Sequence, residues 1–137
     1  MPTTPGPTPT PGGGGAETNK PLVTVYAAQP ASIYDVSGCG ATTSLIQAKV
    51  VDESSLWEVA VYWRTRDGGP TAPVTAYQQL PMAYNSGIDR WEATLDAPVF
   101  VNPSGRLEYY IWVVDQHGNS TRQPGGFYFS LPVTKCV

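Results

Sequence analysis

Charge is scarce in this sequence. Asp, Glu, Lys and Arg together make up 14% of the 137 residues, where soluble domains usually carry about a quarter. The charges present leave a net −3. An acidic surface repels phosphate backbones, which argues against a nucleic-acid partner. No basic cluster offers a hold on an anionic membrane. There is no run of about 18 apolar residues, so direct membrane insertion is not expected. No apolar h-region follows the N-terminus, so no secretory signal is visible. Histidine occurs once, as His117. With no second His or Cys beside it, it builds no zinc site, and it leaves no Ser–His–Asp arrangement to assemble. The GxSxG elbow, the P-loop and GxGxxG are all missing. These gaps predict a chain that is not an enzyme and holds no cofactor and no metal.

Helical periodicity is also missing. Gly and Pro, 14 of each, favour turns, strands and linker over long helices. Pro2 to Gly15 contains only Pro, Thr and Gly. Such a run has no apolar side chain to bury and cannot offset its ordering entropy. Residues 1–20 are therefore predicted to be a disordered linker, and residues 21–137 a single folded domain. Met1 sits directly on the linker and is expected to be a start placed on a piece of a longer protein, the alternative being a complete small cytosolic protein.

From Pro21 onward short alternating runs predict strands. Leu22–Tyr26 is the first, broken by Pro30, with Ile33-Tyr34 resuming on the other sheet as edge strands with proline often do. Further strands are expected at Ser44–Val51, Val59–Arg64, a weaker Val74–Leu80, Arg90–Leu95, Leu107–Asp115 and Phe127–Val133. Turns are expected at Asp52–Ser55, Asn85–Gly87, Asn102–Gly105 and Asp115–Asn119. The predicted fold is an all-β, two-sheet antiparallel sandwich of about seven strands. Its core should contain Val59, Val61, Trp63, Trp91, Leu95, Tyr109, Ile111, Val113, Phe127 and Phe129, with Trp63 near the centre.

Two cysteines, Cys39 and Cys136, bracket almost the whole folded part. They fit neither a redox pair nor a zinc knuckle. One structural disulfide is the expected pairing, which implies an oxidising compartment; the alternative is two free thiols. Asp115, Gly118 and Asn119 have oxygen groups at a spacing that permits calcium, but turn capping is the simpler reading. Asn119-Ser120-Thr121 matches a glycosylation sequon.

The order of landmarks carries a family likeness. Val59–Val61–Trp63–Arg64, then Arg90-Trp91-Glu92-Ala93-Thr94-Leu95 with its W-x-A-x-L pattern, then Leu107-Glu108-Tyr109-Tyr110-Ile111 running into Asp115-Gln116-His117-Gly118-Asn119 resembles bacterial immunoglobulin-like or fibronectin type III-like extracellular modules. The likeness covers roughly residues 21–137 and transfers no catalytic residues. It implies an immunoglobulin-like topology, with strands A, B, E and D in one sheet and C, F and G in the other. It also implies a non-catalytic, monomeric spacer or interaction domain of a secreted or cell-surface protein. The cysteines depart from antibody domains, since neither lies centrally in strands B and F.

Strand alternation turns a set of aromatics outward. With Val59, Val61 and Trp63 inward, Tyr62 faces out; with Tyr109, Ile111 and Val113 inward, Tyr110 and Trp112 face out. With Phe127, Phe129 and Leu131 inward, Tyr128 faces out. A contiguous face of Tyr62, Tyr110, Trp112 and Tyr128 is therefore the candidate ligand-binding surface. Its expected partner is a glycan, a partner protein or an adjacent module, with a carbohydrate-binding module as the alternative function. Cross-strand pairing that merely stiffens the sheet is the competing explanation.

Overall fold

The computed structural model describes residues 19–52 and 55–137. The expected linker falls outside the described residues except for Asn19 and Lys20, and so do Glu53 and Ser54 of the predicted Asp52–Ser55 turn. Every regular element described is a strand. In chain order they are β1 (Leu22–Gln29), β2 (Ile33–Tyr34), β3 (Thr43–Val51), β4 (Leu56–Arg66), β5 (Gln78–Pro81), β6 (Ala83–Asn85), β7 (Arg90–Asp96), β8 (Ser104–Asp115), β9 (Ser120–Gln123) and β10 (Phe129–Thr134). They form two sheets in a sandwich-like arrangement. One runs β1-β3-β7-β6; the other runs β2-β10-β8-β4-β5, with β9 added beside β8.

The buried residues follow the period-two pattern that makes one face of each strand apolar. Val59 and Val61 of β4 lie opposite Val113 and Ile111 of β8, and all four are buried. Ile46 and Ala48 of β3 and Ala93 and Leu95 of β7 supply the facing layer. Trp63 points inward opposite Tyr109, as expected, but packs against the margin of the core instead of occupying its centre. Trp91 and Phe129 lie at the same margin.

Proline and glycine account for the breaks. Pro30 ends β1, and the chain crosses to the second sheet, where β2 pairs with β10 in parallel. The expected strand at Val74–Leu80 shrinks to β5, leaving Val74 with a single bridge to Arg66. At Gly105, β8 passes so close to β4 that a Cβ would lie 2.5 Å from the Arg66 carbonyl and 2.6 Å from the Phe100 ring, so only glycine fits.

The expected final strand is the main correction. Phe127–Val133 is not continuous: β9 ends at Gln123, and β10 begins at Phe129. Gln123 lies opposite Ile111 and Phe129 opposite Tyr109, so residues 124–128 loop out across from Tyr110 alone. Pro124 lacks the ladder donor and Gly126 takes φ of 78°, which together end the ladder. Phe127 sits in this excursion and is 71% exposed; it is not a core residue.

Cys39 and Cys136 are joined by a disulfide with a Cα–Cα distance of 5.7 Å. It ties the loop before β3 to the residues after β10. Close by, the Asp35 carboxylate accepts a hydrogen bond from the Cys136 backbone N–H at 2.8 Å and pairs with Lys135 at 3.8 Å.

Candidate functional site

The outward face of β4 and β8 is set by their register. Ala60 pairs with Trp112, Tyr62 with Tyr110 and Arg64 with Glu108, and opposed residues share a face of the sheet. Tyr62 and Tyr110 stack with ring centres 5.3 Å apart and planes 10° from parallel. Tyr77, from the irregular segment before β5, meets Tyr110 edge-on at 5.0 Å. Arg122, on β9 opposite Trp112, lays its guanidinium 3.8 Å from the Tyr110 ring centre. That approach is within cation–π range. The same guanidinium donates to the Phe127 carbonyl in the excursion.

Tyr62, Tyr110, Trp112 and Arg122 enclose a hollow of about 300 Å³. All three aromatics are half-buried, so their edges are fixed while part of each ring stays open to solvent. Ala60, though outward, is fully buried among these large side chains.

Tyr128 is half-buried too, but it does not line the hollow. It lies in the excursion, where its ring sits 5.2 Å from the Arg64 guanidinium, which also lies 4.5 Å from Tyr77. Three of the four expected residues therefore share one concavity, and the fourth stands on the far side of an arginine.

Two acidic groups organise the face. Glu108 is fully buried and receives Arg64 at 2.8 Å, Arg66 at 2.7 Å and Arg106 at 2.8 Å. Burial opposes its ionisation, but the hydrogen bonds from Arg66, Arg106 and Arg64 prevail and hold its carboxyl down at about 2. Glu58 accepts a hydrogen bond from the Tyr62 hydroxyl at 2.8 Å and from Gln79 Nε2 at 2.7 Å, both on Oε2. Burial, together with the Glu58 carboxylate, pushes the Tyr62 hydroxyl well above its ordinary value. Tyr62 is thus a locked, neutral hydrogen-bond donor and not an acid or base for chemistry near neutrality. Glu58 Oε1 and Arg122 Nε are buried with no hydrogen-bond partner among the described residues.

The Asp115 turn follows the simpler expectation. Asp115 Oδ1 accepts from the backbone N–H groups of His117 at 2.8 Å and Asn119 at 2.9 Å, and Oδ2 accepts from Asn119 Nδ2 at 3.2 Å. Both oxygens are committed to closing the turn. Among the described residues no group of three or more His, Cys, Asp and Glu side chains is placed to hold a metal ion.

Glu58 and Arg64 could have been found from sequence, because they lie four and two residues from Tyr62 on the same alternation. Tyr77 and Arg122 could not: one precedes a strand in irregular chain, and the other lies in the polar Ser120–Gln123 segment that reads as loop. Comparison with protein-family models and with curated proteins finds no match to this chain.

Proposed function

We propose that this chain is an immunoglobulin-like or fibronectin type III-like module that acts as a non-catalytic interaction or spacer domain of a secreted or cell-surface protein, bacterial in origin. The strand orders support the topology. β1, β3, β7 and β6 take the places of A, B, E and D, and β2, β10 with β9, β8, β4 and β5 take those of A′, G, F, C and C′. Ten segments reduce to the seven or so of such a module when split strands are joined and the short β5 is set aside. The disulfide supports an oxidising compartment. The Pro, Thr and Gly composition of residues 2–15 suits a tether.

One observation carries the interaction reading: Tyr62, Tyr110 and Trp112 converge on one solvent-open hollow. Sheet reinforcement alone needs the stacked pair and has no use for a concavity. Apolar ring surface left in water is unfavourable, and aromatic residues anchor interfaces. The Tyr110→Ser, Trp112→Ser double variant tests this. The fold should persist, because both side chains lie outside the core, while binding measured for the parent protein is lost. Unchanged binding returns the face to sheet reinforcement and leaves the spacer role alone.

A second reading, a carbohydrate-binding module, is favoured by Arg122. Its guanidinium closes one side of the aromatic hollow, giving a sugar ring a stacking floor and a hydrogen-bond donor at its rim. A glycan array with Trp112→Ala as control separates this from protein docking.

A further inference from the structure

A second hollow, of about 310 Å³, opens where the chain passes from β5 to β6 and so from one sheet to the other. Trp57, Glu58, Gln79, Pro81, Met82 and Trp91 line it. Its size lies at the lower end for ligand sites, enough for one side chain or a small molecule. It is separate from the aromatic face, although Glu58 borders this hollow while also holding the Tyr62 hydroxyl that borders the other.

The local backbone is built to present these groups. The β4–β8 register slips between Leu56 and Glu58, which makes Trp57 the extra residue of a bulge. A bulge re-aims a side chain away from the regular alternation. Trp57 accordingly stands 44% exposed at the hollow, instead of tucked into the core. Trp91 forms another wall, half-buried against the core margin.

Glu58 is the informative group. Its residue exposure is only 9%. Oε2 takes two donors, and Oε1 has none among the described residues. A buried acceptor left without a donor is costly, more so when it belongs to a carboxylate. Among the described residues no Lys or Arg lines the hollow to satisfy it. A ligand entering the hollow can supply this donor.

We propose that this hollow binds a primary alkylammonium group, with Glu58 Oε1 accepting its N–H and the Trp57 and Trp91 indoles flanking its alkyl stem. Three features choose this chemistry. A carboxylate favours a charged donor, because charge-assisted hydrogen bonds are the strong ones. Indole faces attract cations. The unpartnered oxygen needs a hydrogen-bond donor, which a quaternary ammonium lacks. Because that oxygen is covered, binding requires a side chain of the hollow's wall to shift. The group has two sources, a lysine side chain of a partner chain and a free amine.

NMR of the Trp57 and Trp91 indole N–H resonances, recorded on the full chain, tests the site. Saturable shifts are expected with n-butylammonium, and binding should be about ten-fold weaker with 1-butanol or tetramethylammonium. Glu58→Gln should weaken n-butylammonium by about ten-fold. Trp57→Ala, at an exposed bulge and safe for the fold, should also weaken it, read from Trp91 alone, and it decides the matter should Glu58→Gln not fold. The peptide acetyl-Gly-Lys-Gly-amide, if it binds as n-butylammonium does, assigns the lysine source; if n-butylammonium binds and the peptide does not, the source is a free amine. The Tyr110→Ser, Trp112→Ser variant should bind n-butylammonium normally, so this site and the aromatic face stand or fall separately. Absence of saturation, an equal response to 1-butanol, or unchanged binding in the Glu58 and Trp57 variants overturns the proposal.

Discussion

Glu108 shows how much one side chain can decide on this face. It stands on a strand surface that faces solvent by alternation, yet it is fully buried beneath three arginines. Its carboxyl is held from 4.5 down to about 2. A depressed carboxyl contributes stability above its unfolded value and loses it as pH falls toward the folded one. The loss should therefore fall between about pH 5 and pH 2. The full linkage is roughly 3 kcal/mol; solvent reaching the arginines screens this to on the order of 2 kcal/mol. Glu108→Gln should destabilise the domain by a similar amount at pH 7, because it leaves three guanidiniums without their counter-ion. Urea melts at pH 7 and pH 2.5 check this: the gap between variant and wild type should narrow at the lower pH. A gap of constant size would show that the carboxylate charge is not the cause. Glu108 could not be recognised from sequence as a hub, because its partners come from two strands and their convergence depends on register.

Among the elements, legibility followed periodicity. In β4 and β8 the inward set Val59, Val61, Trp63 and the inward set Tyr109, Ile111, Val113 are strictly alternate, and their register pairs Tyr62 with Tyr110 and Ala60 with Trp112 on the other face. In the last strand the apparent alternation of Phe127, Phe129 and Leu131 ran across a backbone break. Pro124-Gly125-Gly126 interrupts the ladder, and five residues span the place of one. Side-chain hydrophobicity carried no sign of that slip; the adjacent proline and glycines did. β6 was missed for another reason. It is three residues long and follows directly on Pro81 and Met82, too short for any period to register. The break yields a sharp contrast between two phenylalanines two residues apart. Phe127→Ala should change stability by less than about 0.5 kcal/mol, as exposed substitutions do. Phe129→Ala removes ring contacts at 5.2 Å with Tyr26 and 5.3 Å with Tyr109, and should cost about 2 kcal/mol at this half-buried position. Denaturant titration of both variants measures the difference. Equal losses would mean that Phe127 packs after all.

For the whole molecule, the all-β two-sheet architecture and the Cys39–Cys136 bond were both readable from the sequence, the first from strand spacing and the second from two cysteines bracketing the domain. The strand order across the sheets was not, since it depends on pairings far apart in the chain. The placement of the disulfide bears on what happens when such a module is pulled from its two ends. Tension applied at residues 21 and 137 first loads β1 and the parallel pairing of β2 with β10. Everything between Cys39 and Cys136 is shielded, because the covalent bond carries the load past it. Only residues 22–38 can then be drawn out, a length of roughly 60 Å at full extension. With the bond reduced, nearly the whole domain can unravel, to roughly 400 Å. Single-molecule stretching with and without reductant should show these two contour lengths, and a long release from the oxidised chain would contradict the shielding. In a chain under shear the oxidised domain therefore acts as a nearly inextensible link with a short elastic reserve at one end, and its redox state sets how far it can lengthen.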